Sequence, residues 1–485
     1  MKKYILLLSA ISALAITSCR KIETDGEKEI VIITQPGGGG NNGGQTITLQ
    51  GRINADTLLK KENTYILKGL VYMVGNHTMA IQAGTVIKGS FSGSDVAALI
   101  ITRGSKINAS GTATEPIVFT SASPNPQSGD WGGIIICGKA GINTSFNAIQ
   151  GLYQVEGGVD NAQGDGLAGS GDAVAPTAID TDNSGTLSYV RIEYAGYAFQ
   201  PDKEINSLTL AAVGSGTTID HVQTIYAKDD AFEWFGGTVN CKYLIATKTQ
   251  DDDFDTDNGY RGNVQFGLII RDSLIADIST SEAFESDNNS GGSTASPKTA
   301  AVFSNITAIG PRATLSNVGS SLFRAGAQIR RNSGISIFNS IIVGWPVGIL
   351  IDASTGTPTD LNIADNTLRI KNTTLAGNTV NIKYTANGAS PTGATDATML
   401  AWFSDVANSN AMLANVSDAK LIQPYNYSAV DPTPFAGSNG NTLINTGASF
   451  TDSKLGGGFF TTVTFRGGIA PAGTESSWWK GWTKF

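Results

Sequence analysis

The sequence predicts an all-β protein built as a parallel β-solenoid, and three observations support this. Before residue 393, helix signals are nearly absent, and short apolar runs alternate with turn residues. Gly supplies 58 of the 485 residues and charged residues only 15%, a composition that suits strands joined by tight turns. Matching segments also recur, with Asn305, Asn339 and Asn372 in equivalent places. Such repeats indicate coils stacked about 4.8 Å apart, so that like residues form ladders.

Residues 1–18 are predicted to be a signal peptide, and Cys19 the lipidated first residue of a lipoprotein. Lys2 and Lys3 precede an apolar run that is too short to span a bilayer and that stops just before Cys19. This arrangement resembles a bacterial lipoprotein signal; the alternative is an ordinary cleaved signal with an unmodified cysteine. We therefore expect an outer-membrane lipoprotein, at the cell surface or on the periplasmic face.

The mature chain divides into three predicted parts. Residues 19–50 carry the lipidated cysteine and a flexible linker, because residues 37–44 are only Gly and Asn. Residues 51–392 are expected to form the solenoid. Residues 393–485 are expected to form a C-terminal extension that caps it.

The extension holds the one convincing helix, Thr395 to Asp405, with Thr395 as its N-cap. Its aromatic end is expected to cover the last coil, since an open solenoid must cap its final turn. The alternative is that Trp478, Trp479 and Trp482 form a docking surface for a partner or a sugar.

The charge and the cysteines exclude some classes of function. The chain has 41 acidic and 33 basic residues, which argues against nucleic-acid binding and against direct adhesion to anionic lipid headgroups. Cys137 and Cys241 lie in apolar β-like runs. Two buried thiols are therefore expected rather than a disulfide or a metal pair.

Two motifs in the N-terminal half carry a family resemblance. Residues 107–121 (INASGTATEPIVFTS) and the following Trp131 to Ile136 (WGGIII) resemble the right-handed parallel β-helix proteins of Gram-negative surfaces, which have the pectin-lyase-like fold. The resemblance covers roughly residues 51–384 and implies a right-handed parallel β-helix. It says less about function, because this fold hosts lyases, hydrolases, adhesins and binding proteins.

Three acidic clusters with a central Phe form the candidate site. Aligning Phe232, Phe254 and Phe284 places the acids in two columns: Asp230, Asp252 and Glu282, then Glu233, Asp255 and Glu285. Stacked carboxylates repel one another unless water or a cation compensates, or unless Arg330 extends the second column with a positive charge. Ca²⁺ takes several oxygen ligands, so a hypothetical Ca²⁺ site is predicted at Asp230, Asp252, Asp255 and Glu285, with no other cofactor.

The family resemblance also raises the alternative that this protein is an enzyme. Polygalacturonase-like hydrolases combine stacked Asp residues with a His and an Arg-x-Lys element. Arg369-Ile370-Lys371 echoes that element, but neither His77 nor His221 has flanking glycines. Pectate-lyase-like enzymes need Ca²⁺ and a basic residue, and Arg330 and Arg331 follow the acidic clusters without a specific lyase motif.

The predicted function is therefore non-catalytic. We expect a membrane-anchored β-helix that binds an extracellular glycan or an outer-membrane partner, such as a transporter of the TonB-dependent type. The candidate ligand-binding residues are Trp234, Arg330 and Arg331, with Trp234 and Phe235 expected to be exposed. A Ca²⁺-dependent polysaccharide lyase or a hydrolase is the competing class.

Overall fold

A computed structural model describes residues 33–35, 44–200, 203–317 and 319–485. The predicted signal peptide, the lipidation site Cys19 and most of the linker lie outside the described residues. Residues 46–50 were predicted to be linker, but they belong to the strand Thr46–Ile53. The correction follows from apolar side chains in alternate positions, since Leu49 is buried in the core and Ile47 packs against it.

The strands pair in parallel from coil to coil around one apolar core, which confirms the predicted parallel β-helix. They form three sheets. The first sheet contains the second halves of Thr46–Ile53 and Thr64–Met73, then Ala98–Ile101, Ile134–Cys137, Leu208–Ala211, Phe232–Phe235, Phe254–Asp257, Phe284–Ser286, Ala325–Ile329, Val347–Ala353 and Val380–Ala386.

The second and third sheets share several long strands that turn a corner between them. The second sheet contains Thr57–Leu59, Thr78–Ile81, Lys106–Ser110, the first halves of Gly185–Glu193, Thr218–Ile225, Asn240–Thr247, Asn263–Ile270 and Val302–Ile309, then Ser336–Phe338 and Arg369–Lys371. The third contains the first halves of Thr46–Ile53 and Thr64–Met73, then Val86–Gly89, Ile117–Ser121, the second halves of those long strands, Ile341–Val343, Thr374–Ala376 and Ala411–Leu413.

The remaining elements are short. Strand Ile33–Gln35 pairs antiparallel with Thr46–Ile53, and four small antiparallel pairs are Ser145–Phe146 with Ile149–Gln150, Leu152–Gln154 with Leu167–Gly169, Ala198–Gln200 with Lys203–Glu204, and Leu421–Gln423 with Asp431–Pro434. The α-helices are Leu361–Ala364, Asp396–Phe403 and Thr442–Thr446; the 3₁₀ turns are Gly93–Asp95, Val406–Asn408, Val416–Ala419, Gly437–Asn439, Ser453–Leu455 and Thr474–Ser476. Among the described residues, no helix is both long and apolar enough to cross a membrane.

The corner between the second and third sheets is made by residues in left-handed backbone conformation. We call this set the corner column: Tyr189, His221, Tyr243, Phe266, Asn305, Asn339 and Asn372, with φ between 50° and 62°. The strand register on either side of each residue aligns them, so the predicted asparagine ladder is confirmed.

Comparison of the repeats by sequence alone also predicts that Arg191 and Gln223 continue this ladder upstream, but they lie two residues beyond the corner. Val190 pairs with Val222, so the equivalent corner positions are Tyr189 and His221. At these positions aromatic rings stand in place of asparagine and stack on one another. The ring centroids of Tyr189 and His221, and those of His221 and Tyr243, are 4.3 Å apart.

Two separate parts of the C-terminal extension cover the β-helix. Thr395 caps helix Asp396–Phe403, accepting a hydrogen bond from the backbone N–H of Thr398 at 3.3 Å, as predicted. Met399 and Phe403 on this helix join the main core, so the helix closes the last coil. Residues 447–485, which we call the C-terminal layer, lie along the corner column instead of over the last coil. Trp479 and Trp482 are buried there, so they provide no exposed docking surface.

Candidate functional site

The predicted register of the acidic clusters is confirmed on the first sheet. Phe232 pairs with Phe254, which pairs with Phe284. Their side chains point inward and are buried in the core. The next residues, Glu233, Asp255 and Glu285, pair in the same order and must point outward because side chains alternate along a strand. We call this surface, with the turn acids that precede each strand, the acidic face.

The turn acids bind the backbone of the following coil. Asp230 Oδ1 accepts a hydrogen bond from the backbone N–H of Asp252 at 2.9 Å. Asp252 Oδ1 accepts one in the same way from the N–H of Glu282 at 2.6 Å. One oxygen of each carboxylate therefore connects successive coils, which gives this column a structural role besides any ligand binding.

In the described part of the chain, carboxylates gather into three groups, and within each group one oxygen of every residue lies within 4.8 Å of the others. The groups are Asp229 with Asp230 and Asp251; Asp230 with Glu233 and Asp255; and Asp252 with Glu282 and Glu285. The four predicted Ca²⁺ ligands thus do not form one site, since Asp230 and Asp255 belong to one group and Asp252 and Glu285 to another. We call these last two groups the inner triads.

Burial raises the pKa of every acid in the inner triads, and neighbouring carboxylates raise it further for all of them except Glu282. The pKa of Asp230 is well above its usual range because of burial and then Asp229 and Asp255. The pKa of Asp252 is raised by burial and then by Glu282 and Glu285. Burial also raises the pKa of Asp255 to about 8. The charged form of these groups therefore needs a compensating positive charge.

Glu282 supplies an unsatisfied acceptor within the second inner triad. Its side chain is fully buried, and its Oε2 atom has no hydrogen-bond partner among the described residues. Its Oε1 atom accepts a hydrogen bond from Thr280 Oγ1 at 3.3 Å. A buried carboxylate oxygen without a donor costs free energy unless an ion or water binds it.

Arginines end the acidic face on the C-terminal side. Arg330 binds Glu285 through Nη2 and Asp287 Oδ1 through Nε at 2.9 Å, while Arg331 Nη1 lies 2.6 Å from Asp287 Oδ2. Burial lowers the pKa of the Arg330 guanidinium, but Glu285 and Asp287 outweigh that effect and hold the pKa above its ordinary value.

The position of Arg330 differs from the prediction by one column. Gln328 is the residue that pairs with Glu285, so Arg330 stands opposite Asp287. It compensates the charge of Glu285 from the side and does not extend that column.

Trp234 and Phe235 contradict the prediction of exposed aromatic side chains. Trp234 is fully buried and stacks on Tyr260 with ring centroids 5.3 Å apart. Phe235 points outward but is only 3% exposed, because Tyr153 from a distant insertion covers it at 4.9 Å. Trp234 therefore has no surface with which to bind a ligand.

A buried ion pair beside the acidic face was not anticipated from the sequence. Arg271 Nε lies 2.7 Å from Asp253 Oδ2, and both side chains are fully buried. Arg271 also donates to the backbone carbonyls of Thr249, Asp251 and Glu282. It thus fixes the turns that present two acidic clusters. The one sequence signal was an arginine directly after the apolar strand Asn263–Ile270.

The groups considered for catalysis are engaged elsewhere. Arg369 and Lys371 both bind Asp452, and His221 is stacked in the corner column beside Asp220. Cys137 and Cys241 are free and buried, as predicted, and burial raises the pKa of each thiol to about 12. Among the described residues, no hydrogen bond or ion pair joins these groups to an inner triad.

Comparison with known proteins identifies the family. The family described as "Pectate-lyase like beta helix domain" matches residues 51–418. No match was found among curated proteins or among solved structures. The matched range covers most of the chain and spans the three sheets, the acidic face and the closing helix, and so the protein belongs to the pectate-lyase-like β-helix family.

Proposed function

We propose that this protein is a non-catalytic binding protein whose acidic face holds divalent cations, with Ca²⁺ the first candidate. One observation carries the proposal: each inner triad brings three buried or half-buried carboxylates within 4.8 Å of one another. Ca²⁺ is bound by several carboxylate and carbonyl oxygens at 2.3–2.6 Å. A bound cation would keep these carboxylates charged and would satisfy Glu282 Oε2.

The ligand that we propose for the cation-loaded face is an extracellular glycan or an outer-membrane partner, a transporter being one example. Arg330 and Arg331 border this face with part-exposed side chains, so they remain candidate ligand-binding residues. In this proposal Cys19 is lipidated and holds the body at the cell surface or the periplasmic face of the outer membrane. The charge balance of 41 acids to 33 bases supports partners other than nucleic acid.

Titration calorimetry on EDTA-treated protein tests the cation proposal. We expect saturable heat on addition of Ca²⁺ and a higher melting temperature, because a ligand at 100 times its Kd stabilises the folded state by about 2.7 kcal/mol. Glu282→Gln should abolish binding at the second triad. Glu115→Gln, on an exposed carboxylate paired with Lys61, is the matched control. Absence of heat and of a melting shift at millimolar Ca²⁺ would refute the proposal.

The second candidate function is a Ca²⁺-dependent lyase, favoured by the position of Arg330 next to an inner triad. A lyase base must lose a proton, however, and Arg330 is held protonated by Glu285 and Asp287. Incubation with polygalacturonate and alginate, with and without Ca²⁺, separates the two functions. Rising absorbance from an unsaturated product, or new reducing ends, would establish catalysis.

Membrane anchoring has its own test. In a Gram-negative host, the wild-type chain should incorporate labelled palmitate and enter the membrane fraction. Cys19→Ser should do neither. Equal incorporation in both chains would refute lipidation at this residue.

A further inference from the structure

The C-terminal layer is held to the β-helix by amide side chains that bind its backbone. Gln265 Nε2 donates to the carbonyl of Thr461 at 2.7 Å, and Gln265 Oε1 accepts from the N–H of Thr461 at 2.7 Å. Gln223 makes the same pair of bonds with Lys484, at 2.6 and 2.9 Å. Each amide thus binds both backbone polar groups of one residue.

This mode of binding is indifferent to the side chain of the bound residue. Gln223 and Gln265 are fully buried, so their positions are fixed. The side chain of Lys484 is 45% exposed and Thr461 is exposed. Recognition through main-chain hydrogen bonds, with a few side-chain pockets for specificity, is the way that folded proteins bind extended peptides.

A buried aromatic residue supplies the side-chain anchor. Trp482 is fully buried, with its ring centroid 5.7 Å from that of Tyr189 and 5.8 Å from that of His221. Arg191 Nη1 donates to the Trp482 carbonyl at 3.0 Å. Buried Trp residues at the centre of a contact carry much of the binding energy in protein–peptide interfaces.

A glycine hinge precedes the anchored segment. Residues 456–458 are three exposed glycines, and a Cβ added to Gly457 or Gly458 would meet no atom within 4 Å. After the hinge, residues 459–485 contain three basic side chains and one acidic, in a chain with an excess of acids. The glycines at the start of the segment therefore have open space around them, and the segment is complementary in charge to the body.

We propose that residues 459–485 are an exchangeable docking segment, and that the corner column with Gln223 and Gln265 is its receptor. In one molecule the receptor is occupied by the chain's own segment. The same contacts accept the segment of a second copy, which links two molecules by exchange of a terminal element.

Cleavage of the full-length chain at the hinge tests this proposal. A protease site is inserted between Gly457 and Gly458, the chain is cut, and fluorescein-labelled synthetic peptide 459–485 is added. We expect the cut segment to stay bound through gel filtration and then to be replaced by labelled peptide in a saturable manner. Uncut chains should form segment-exchanged dimers slowly at high concentration.

Variants define which contacts matter. Gln223→Ala with Gln265→Ala should weaken peptide binding at least about tenfold, because four hydrogen bonds are lost. Gln328→Ala, at a buried amide of the first sheet that donates to Asp352, is the matched control. If the double variant misfolds, a Thr461→Pro peptide provides the test instead. This peptide lacks the backbone N–H that donates to Gln265 Oε1, and the β-helix itself is unchanged. A Thr461→Ala peptide retains that N–H and loses only the exposed hydrogen bond from Lys242 Nζ to Thr461 Oγ1, so it should bind nearly as well as the native peptide.

Three results would overturn the proposal. In the first, the segment would be lost as soon as the chain is cut. In the second, it would never exchange with labelled peptide. In the third, the Thr461→Pro peptide would bind as tightly as the native one. The first would mean that the receptor has no affinity of its own. The second would mean that the segment is a permanent part of the core, and the third that the backbone contacts are unimportant.

Discussion

Asp252 Oδ1 accepts the backbone N–H of Glu282 at 2.6 Å, while the Asp252 carboxylate also lies in a triad with Glu282 and Glu285. The side chain therefore has two separable roles. As a hydrogen-bond acceptor it connects two coils, and as a negative charge it repels its neighbours, which is the charge that the proposed cation would neutralise.

Asp252→Asn separates these roles, because the amide oxygen still accepts the N–H bond but carries no charge. In EDTA we expect the variant to melt at a higher temperature than the wild type, since like-charge repulsion is relieved. With Ca²⁺ the wild type should gain stability and the variant should gain less. Differential scanning calorimetry with and without 5 mM Ca²⁺ (roughly the scale at which weak extracellular sites fill) measures both effects. Equal gains in the two proteins would contradict the prediction.

The metal-free protein should become less stable as the pH rises. Burial raises the folded-state pKa of Asp251 and Asp253 to about 7 and that of Asp255 to about 8, from 3.8. The folded chain therefore binds more protons than the unfolded chain between about pH 4 and pH 8, and this stability is lost as the pH rises through the folded-state pKa. We expect melting temperatures in EDTA to fall from pH 5 to pH 8.5. Saturating Ca²⁺ should reduce the slope, and a flat profile in EDTA would contradict the prediction.

Arg330 should matter more than Arg331. Removal of Arg330 leaves Glu285 without its bound arginine and weakens the neutralisation of Asp287. Uncompensated buried charge costs several kcal/mol, so Arg330→Gln should lower the free energy of unfolding by about 3 kcal/mol. Arg331→Gln should cost less, because Arg330 still binds Asp287. Urea unfolding at pH 7 compares them, and a larger loss for Arg331→Gln would be the contrary result.

Asn305 should tolerate Gly better than Ala. Its φ is 58°, a conformation that costs an L-residue such as Ala roughly 1–2 kcal/mol. Both variants lose the hydrogen bond from Nδ2 to the carbonyl of Phe465, so their difference isolates the backbone conformation. We expect Asn305→Gly to unfold at a higher urea concentration than Asn305→Ala, and the reverse order would contradict the prediction.

The fold was predictable because its signals are local and repeated. Phe232, Phe254 and Phe284 align in the sequence for the same reason that they stack in the core: one position per coil faces inward. Thr395 was recognisable as an N-cap because capping depends on neighbouring residues alone.

What sequence reasoning missed depends on residues far apart in the chain. Phe235 points outward, as alternation requires, yet Tyr153 covers it from 82 residues away. Tyr189 and His221 were not recognised as equivalents of Asn305, because left-handed conformation favours asparagine and no rule marks an aromatic residue that adopts it. The grouping of the acids also depended on side-chain directions at the turns, which the alignment of columns did not give.

The C-terminal layer should change how this solenoid responds to heat. In a simple solenoid each repeat touches only its neighbours, so distant repeats can melt independently. Here one continuous segment contacts the coil of Asn372 through Gly447 and the coil of Arg191 through Trp482. Counting both of these, seven coils are linked to a common partner, and we expect them to melt as one cooperative unit rather than to fray from an end.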